Sequence, residues 1–358
     1  MLTFRTYREG DDAGLIRLFD DVFGQSRTME DFLWKFKQVP DGFQDDNIFL
    51  VEDEEKHLIC GAYGGTLFRT KIEDQTRITA HLFDNCVRPE YRKGNVFVRL
   101  VRGLMAENEK RQEIVFAYGI AESKGLLFMV GKKLLQYRVV SDLPRLLKRL
   151  SLAGVASRFT QNPALILGGR SVGNTLSSLG NSLRGTRRSA VPVRQVDAFG
   201  PWADALWQRV SSQFQIATVR DHAYLTWRYS RPGHKYTVFV AENDRGEVGG
   251  YLTLGRGQEG FLKIGYILDI LTERDSRMVQ SLLQAATQEA LKEHLDFLEC
   301  WNLEGEALFR ELREAGFRRR PWRRPLAIVY RTVHADLPER FFQDPRNWHI
   351  TMSDSDVY

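Results

Sequence analysis

The chain repeats itself, and the repeat limits its fold more than any other feature does. In the first half, Phe32-Leu33-Trp34-Lys35-Phe36 precedes Pro40 and an apolar strand pattern over 48–52. In the second half, Tyr224-Leu225-Thr226-Trp227-Arg228-Tyr229 precedes Pro232 and a strand pattern over 236–242. Each strand enters a turn-rich stretch and emerges into another strand; Asn243-Asp244-Arg245-Gly246 is a good hairpin signal. A later strand ends at Phe83-Asp84 in one half and at Leu268-Asp269 in the other. An amphipathic helix follows each. Val96, Leu100, Val101 and Leu104 fall at helical spacing, as do Val279, Leu282, Leu283 and Ala286. A short apolar strand comes next, over 114–118 and 297–301, and a last helix ends near Gln136-Tyr137 and Gly316-Phe317. Each half thus reads as strand, two helices, a meander of three strands, helix, strand, helix, strand. That is an α+β class with a mixed sheet. The parallel crossover places a ligand site at the carboxyl end of the strand near Cys86 and Val87.

A length of 358 residues suits two such bodies. No apolar run approaches the ~18 residues of a spanning helix, and the N-terminus turns acidic by Glu9, unlike a secretory signal. Three scattered cysteines, Cys60, Cys86 and Cys300, give neither a disulfide framework nor a zinc site, so the expected compartment is the cytoplasm. The histidines show no metal spacing, and no metal is expected.

The net charge of +5 is local. Nine Arg/Lys and one acid between Ser141 and Gln195 give +8, which leaves −3 for the rest. This argues against a nucleic-acid partner. The expected division is 1–140, a basic interdomain segment over 141–194, a second body over 195–335 and a tail over 336–358. Leu143, Leu146, Leu147 and Leu150 recur at helical spacing beside Arg145, Lys148 and Arg149, which predicts a basic amphipathic helix. It reads either as a crossover packing on one body or, over 143–158, as a peripheral contact with an anionic membrane. The Gly/Ser/Asn-rich stretch 168–189 reads as linker or a weak second helix. Trp34 and Trp227 are expected to anchor helices to the core, with Lys35 and Arg228 facing out.

One loop carries chemistry. A strand stops at Pro89, a basic stretch with a glycine follows, and a helix begins at once: Val87-Arg88-Pro89-Glu90-Tyr91-Arg92-Lys93-Gly94-Asn95-Val96-Phe97. Free N–H groups at a helix start, its dipole, and the charges of Arg92 and Lys93 converge on one spot. A diphosphate is the natural guest.

The run Val87–Gly94 resembles the coenzyme A loop of the GNAT acyltransferase superfamily, with its V-x-P-x-Y-R element. The element order of both halves, the opening Phe4–Asp11 stretch and the Leu308–Phe317 ending are similar to that family too. The resemblance implies two tandem GNAT-like domains, the second degenerate. It implies that the backbone of Cys86 and Val87 pairs with the pantetheine arm of acetyl-CoA. Arg92, Lys93, Gly94, Asn95, Val96 and Phe97 would wrap the pyrophosphate. Counted from Arg92, the glycine of the family's (Q/R)-x-x-G-x-(G/A) motif falls on Asn95, and its small last residue on Phe97. In the second half, Glu273 and Asp275 stand where phosphates would sit, so coenzyme A is expected only in the first.

Acylating an amine with a thioester needs a base, an oxyanion donor and an acid for the thiolate. His81 and Asp84, on the strand leading to the loop, are the candidate bases. The family's frequent acid, a tyrosine in the last helix, falls on Lys132, so Tyr118 is its candidate substitute. Cys86 reads as a small buried strand residue rather than an acyl carrier. The expected activity is N-acetyl transfer to an amine by direct attack in a ternary complex. The alternative is an inactive GNAT-like pair used as a binding or scaffold module. The tail around Trp348 is similar to endings of some acetyltransferase-like proteins of bacterial surface-polysaccharide pathways, which implies an amino-sugar acceptor.

Overall fold

The computed structural model describes residues 1–24, 26–40, 47–123, 125–151, 191–320 and 325–355. The first half supplies β1 (Leu2–Thr6), α1 (Asp12–Phe23), α2 (Met29–Phe32), β2 (Ile48–Asp53), β3 (Leu58–Ile72) and β4 (Gln75–Val87). Then come α3 (Val96–Glu109), β5 (Ile114–Glu122), α4 (Leu126–Leu134), β6 (Arg138–Leu143) and β7 (Arg145–Arg149). The second half supplies β8 (Val193–Val196), α5 (Trp202–Val210), β9 (Ile216–Thr218), α6 (His222–Arg228), β10 (Thr237–Glu242), β11 (Val248–Glu259) and β12 (Leu262–Thr272). It ends with α7 (Ser276–Lys292), β13 (Phe297–Trp301), α8 (Ala307–Glu314), β14 (Arg318–Arg319), β15 (Leu326–Thr332) and α9 (Glu339–Gln343).

Local chemistry sets these elements. In α1, Leu15, Leu18 and Phe19 recur on one buried face, and Gly24 ends the helix in a left-handed turn that a side chain would strain. In α3, Leu100, Val101, Leu104 and Met105 bury one stripe against β1–β4.

The sheets do not follow the two halves of the chain. One has the order β1-β2-β3-β4-β5-β15-β6, the other β8-β10-β11-β12-β13-β7-β14. The orders match position for position, except that each half has given its last inserted strand to the other sheet. β15 lies antiparallel between β5 and β6, and β7 lies antiparallel between β13 and β14. β9 also crosses over and pairs with the far end of β3, Thr70 opposite Thr218. The cuts expected at 140 and 195 therefore do not separate the sheets.

The helix expected over 143–150 is a strand. Leu146 enters the core under α7, while Leu147 enters the core between the two sheets. A strand buried on both faces accepts adjacent leucines, whereas a short helix would bury one stripe. Leu143 and Leu150 are also buried, so 143–151 offers no apolar helix face to a lipid surface. Residues 152–158 and the 168–189 stretch lie outside the described residues. No helix among the described residues is long and apolar enough to cross a membrane.

The repeated tryptophans meet at the junction. Their rings stack 5.3 Å apart, and each indole N–H donates to the other's backbone carbonyl at 2.8 Å. Lys35 and Arg228 do not face out. Leu33–Lys37 forms a π-helical turn, whose extra residue per turn brings Trp34, Lys35 and Phe36 inside together. Arg228 donates to the carbonyls of Ser353 and Ser355 in the buried tail.

Candidate active site

The site begins where two parallel strands part. β4 and β5 pair only from Ile78/Ile114 to His81/Tyr118, yet β4 runs on to Val87 and β5 to Glu122. The cause is a bulge in β4, where the register with β3 shifts between Ala62 and Gly64. Asp84 sits in the left-handed region (φ 54°), and the Asn85 side chain accepts the Gly64 N–H at 2.8 Å. A bulge bends its strand, and here it opens the sheet. A cavity of about 640 Å³ passes through the opening. Tyr63, Phe97 and Tyr137 line it on the face that carries α3, and Lys35, Phe83 and Asp84 on the face that carries α1.

Asp84 is not a free base. Its carboxylate takes both Arg27 Nη groups, at 2.5 and 2.8 Å, and Lys35 Nζ at 2.6 Å. Burial alone would push this carboxyl up, but Lys35 and Arg27 overcome it and hold it at about 2. Protonating Asp84 would take a charged carboxylate away from Arg27 and Lys35. A general base works best near the ambient pH, so Asp84 is suited to ordering the wall rather than to taking a proton.

His81 does line the cavity. Its ring stacks on Tyr118 at 4.6 Å and meets Phe83 edge-on. Tyr118 does not reach the cavity: it lies behind His81, and its hydroxyl is 3.4 Å from Thr218 in β9. Burial drives its pKa far up. The Cys86 thiol packs among Leu15, Leu18 and Phe19, where burial pushes it up to about 12, so it is no acyl carrier.

The loop keeps the expected shape. Gly94 and Asn95 are both left-handed, and Arg92, Lys93, Gly94 and Asn95 are exposed. The Asn95 side chain does not cap α3. The N–H groups of Val96, Phe97 and Val98 precede the first intrahelical bond, Arg99 to Asn95, and face the loop. Arg92 folds back to donate to the Val87 carbonyl at 3.0 Å. Phe97 turns away from the loop, packs edge-on against Tyr63 and walls the cavity, so its bulk does not fall on the anion position.

Four further wall residues escape a reading of local sequence. The Tyr63 and Tyr137 hydroxyls are 3.1 Å apart. Burial pushes Tyr63 up to about 12 and Tyr137 well above its ordinary value. Tyr137 closes the repeated pattern as a sequence landmark, but nothing local marks it as a hydroxyl in a site. Arg27 and Arg231 pair with acids that sequence separation hides. Arg231 comes from the other half of the chain.

Residues 3–126 match the model of the acetyltransferase (GNAT) domain. The N-terminal body is a GNAT domain. Saccharomyces cerevisiae N-myristoyltransferase, solved with bound myristoyl-CoA, superposes over 92% of this chain and 78% of its own, at 13% identity and a TM-score of 0.63. A GCN5-related N-acetyltransferase from Anabaena variabilis superposes over 93% and 73%, at 12% identity and 0.64. A probable N-acyltransferase from Enterococcus faecalis does so over 93% and 73%, at 12% and 0.60. At such identities the likeness is one of fold, and it spans both bodies. No protein with a curated description matches the sequence.

The second body repeats the architecture of the first, but its described residues cap the helix start and pair the acids near it. Its β12 and β13 pair only from Ile264/Phe297 to Tyr266/Glu299 before parting. The helix that follows, α7, is capped by Asp275, whose side chain accepts the Arg277 N–H at 2.8 Å. Glu273 is paired with Arg209. Asp269, the counterpart of Asp84, binds Arg220, Tyr251 and Thr351.

Proposed function

We propose that the protein is an acyl-CoA-dependent N-acyltransferase that moves an acetyl group from acetyl-CoA to an amine. One observation carries this reading. Phe97, in the first turn of an uncapped helix, and Lys35, on the opposite face of the sheet, line the same cavity. An anion at the α3 start and a thin arm through the β4–β5 opening would deliver a thioester to the far face. The charged Arg27–Asp84–Lys35 cluster there favours a short acyl group, since a long apolar chain would have to desolvate it.

The amine nitrogen attacks the thioester carbon directly, and the C–S bond breaks. His81 takes the ammonium proton, directly or through water, in place of the locked Asp84. Tyr137, hydrogen-bonded to Tyr63, offers a proton to the departing thiolate. An amino-sugar acceptor rests on the tail's resemblance alone, and Trp348 at its centre is buried against Phe116 and Tyr118.

Calorimetric titration with acetyl-CoA tests the reading. Binding by the wild type, weakened by Arg92→Glu, is the expected result. No binding by the wild type overturns it, and unchanged binding in the variant overturns the placement of the diphosphate.

A further inference from the structure

Among the described residues, the wall of the cavity contains one cation, Arg231, with a buried donor that is not taken up. Arg231 follows α6 in the C-terminal body and lines the cavity of the N-terminal one. Its Nε lies 3.4 Å from Asp31 Oδ1, at the outer limit of a hydrogen bond. Its Nη1 is buried and has no acceptor among the described residues. The guanidinium packs 5.5 Å from the centre of the Trp34 ring, which holds the fork in place. The other two cations in the wall, Arg27 and Lys35, both bind Asp84. Buried donors without partners are uncommon in folded proteins because desolvating them is uncompensated. A carboxylate meeting the fork, with a small turn of the guanidinium, would remove that penalty.

We propose that Arg231 binds a carboxylate on the amine acceptor. A planar guanidinium fork matches a carboxylate better than it matches a neutral carbonyl. Charge balance favours a monoanion. Three cations, Arg27, Lys35 and Arg231, face three acids, Asp31, Asp84 and the exposed Glu122, so the lining is neutral and a monoanion disturbs it less than a dianion does. Asp31, beside Arg231, offers its own carboxylate to an ammonium. The matching acceptor is a zwitterionic amine of the amino-acid type, its apolar part against Phe23, Phe32 and Phe83. The word acceptor rests on the acyltransferase reading; the carboxylate subsite itself does not.

The test is calorimetry on the full chain with four probes: L-phenylalanine, L-phenylalaninamide, L-leucine and L-leucinamide. O-phosphoethanolamine serves as the phosphate arm. The free acids are expected to bind about tenfold to hundredfold more tightly than their amides, the factor of a charge-assisted hydrogen bond. Arg231→Gln should abolish that difference, and Arg231→Lys should retain part of it. Titrating acetyl-CoA into the same variants reports on folding and on the donor side. If the wild type fails to bind acetyl-CoA yet prefers acid to amide, the acyltransferase reading falls and the carboxylate subsite stands. The inference is overturned by equal binding of acid and amide, by binding of neither, by preference for the phosphate, or by a preference that survives Arg231→Gln.

Discussion

Asp84 and Asp269 occupy matching places in the two sheets, and what lies beyond each of them differs. Each lies where the register of its strand shifts, near the point where parallel strands part. Each is buried and paired with arginine. Beyond Asp84 lies open space that reaches an uncapped helix start. Beyond Asp269 lies the protein's own tail. Thr351 donates to Asp269, Asp354 binds Arg220, and Ser353 and Ser355 receive Arg228. The same split sheet holds a cavity in one body and packing in the other. What decides is whether the chain fills the split and caps the helix, which is a matter of side chains rather than fold.

Several substitutions would test this contrast. The largest effect is expected from His81→Gln, which should lower kcat about a hundredfold or more while acetyl-CoA binding holds; stopped-assay kinetics with calorimetry separates the two. Tyr266, the matching residue of the filled body, changed to Phe should leave kcat alone. Next, Asp269→Ala should cost about 3 kcal/mol in urea unfolding, the low end for a broken buried pair, because Arg220 keeps Asp354. Third, Arg92→Glu should weaken acetyl-CoA binding about tenfold with little change in stability, while Arg274→Glu, in the corresponding loop of the second body, should leave affinity unchanged. Equal losses from both would erase the contrast. The smallest effect concerns acid. The carboxyl of Asp84 is depressed, so its pairs stabilise the fold above the ordinary carboxylate range, and this contribution fades as pH falls towards about 2. The stability gap between wild type and Asp84→Asn should therefore narrow between pH 4 and pH 2, measured by denaturant midpoints.

The repeat, the mixed sheets and the anion loop were legible because each is written locally. Helical spacing marks α3 and α7, and Val87–Gly94 carries its motif in eight adjacent residues. The strand exchange was not legible. Leu143, Leu146, Leu147 and Leu150 satisfy a helical period and a two-sided strand equally well, and only distant pairing partners decide between them. The inward Lys35 escapes helical spacing because a π turn changes which residues share a face. Nothing local marks Asp84 as locked, because its partners, Arg27 and Lys35, lie some fifty residues away in the chain. Arg231 reaches the cavity from the other body, and no local pattern could have announced it.

The exchanged strands also bear on how such a chain assembles. β15 must close onto β5 across roughly two hundred residues, a contact that forms late because its loop-closure entropy comes before its reward. A fragment ending near residue 150 would leave an empty slot between β5 and β6 and carry β7 with nowhere to put it. Two copies of that fragment could fill each other's slots. The intact molecule is in this sense a strand-swapped dimer whose two subunits have been fused into one polypeptide, and a truncated first half should sediment as a dimer or fail to fold, never as a stable monomer.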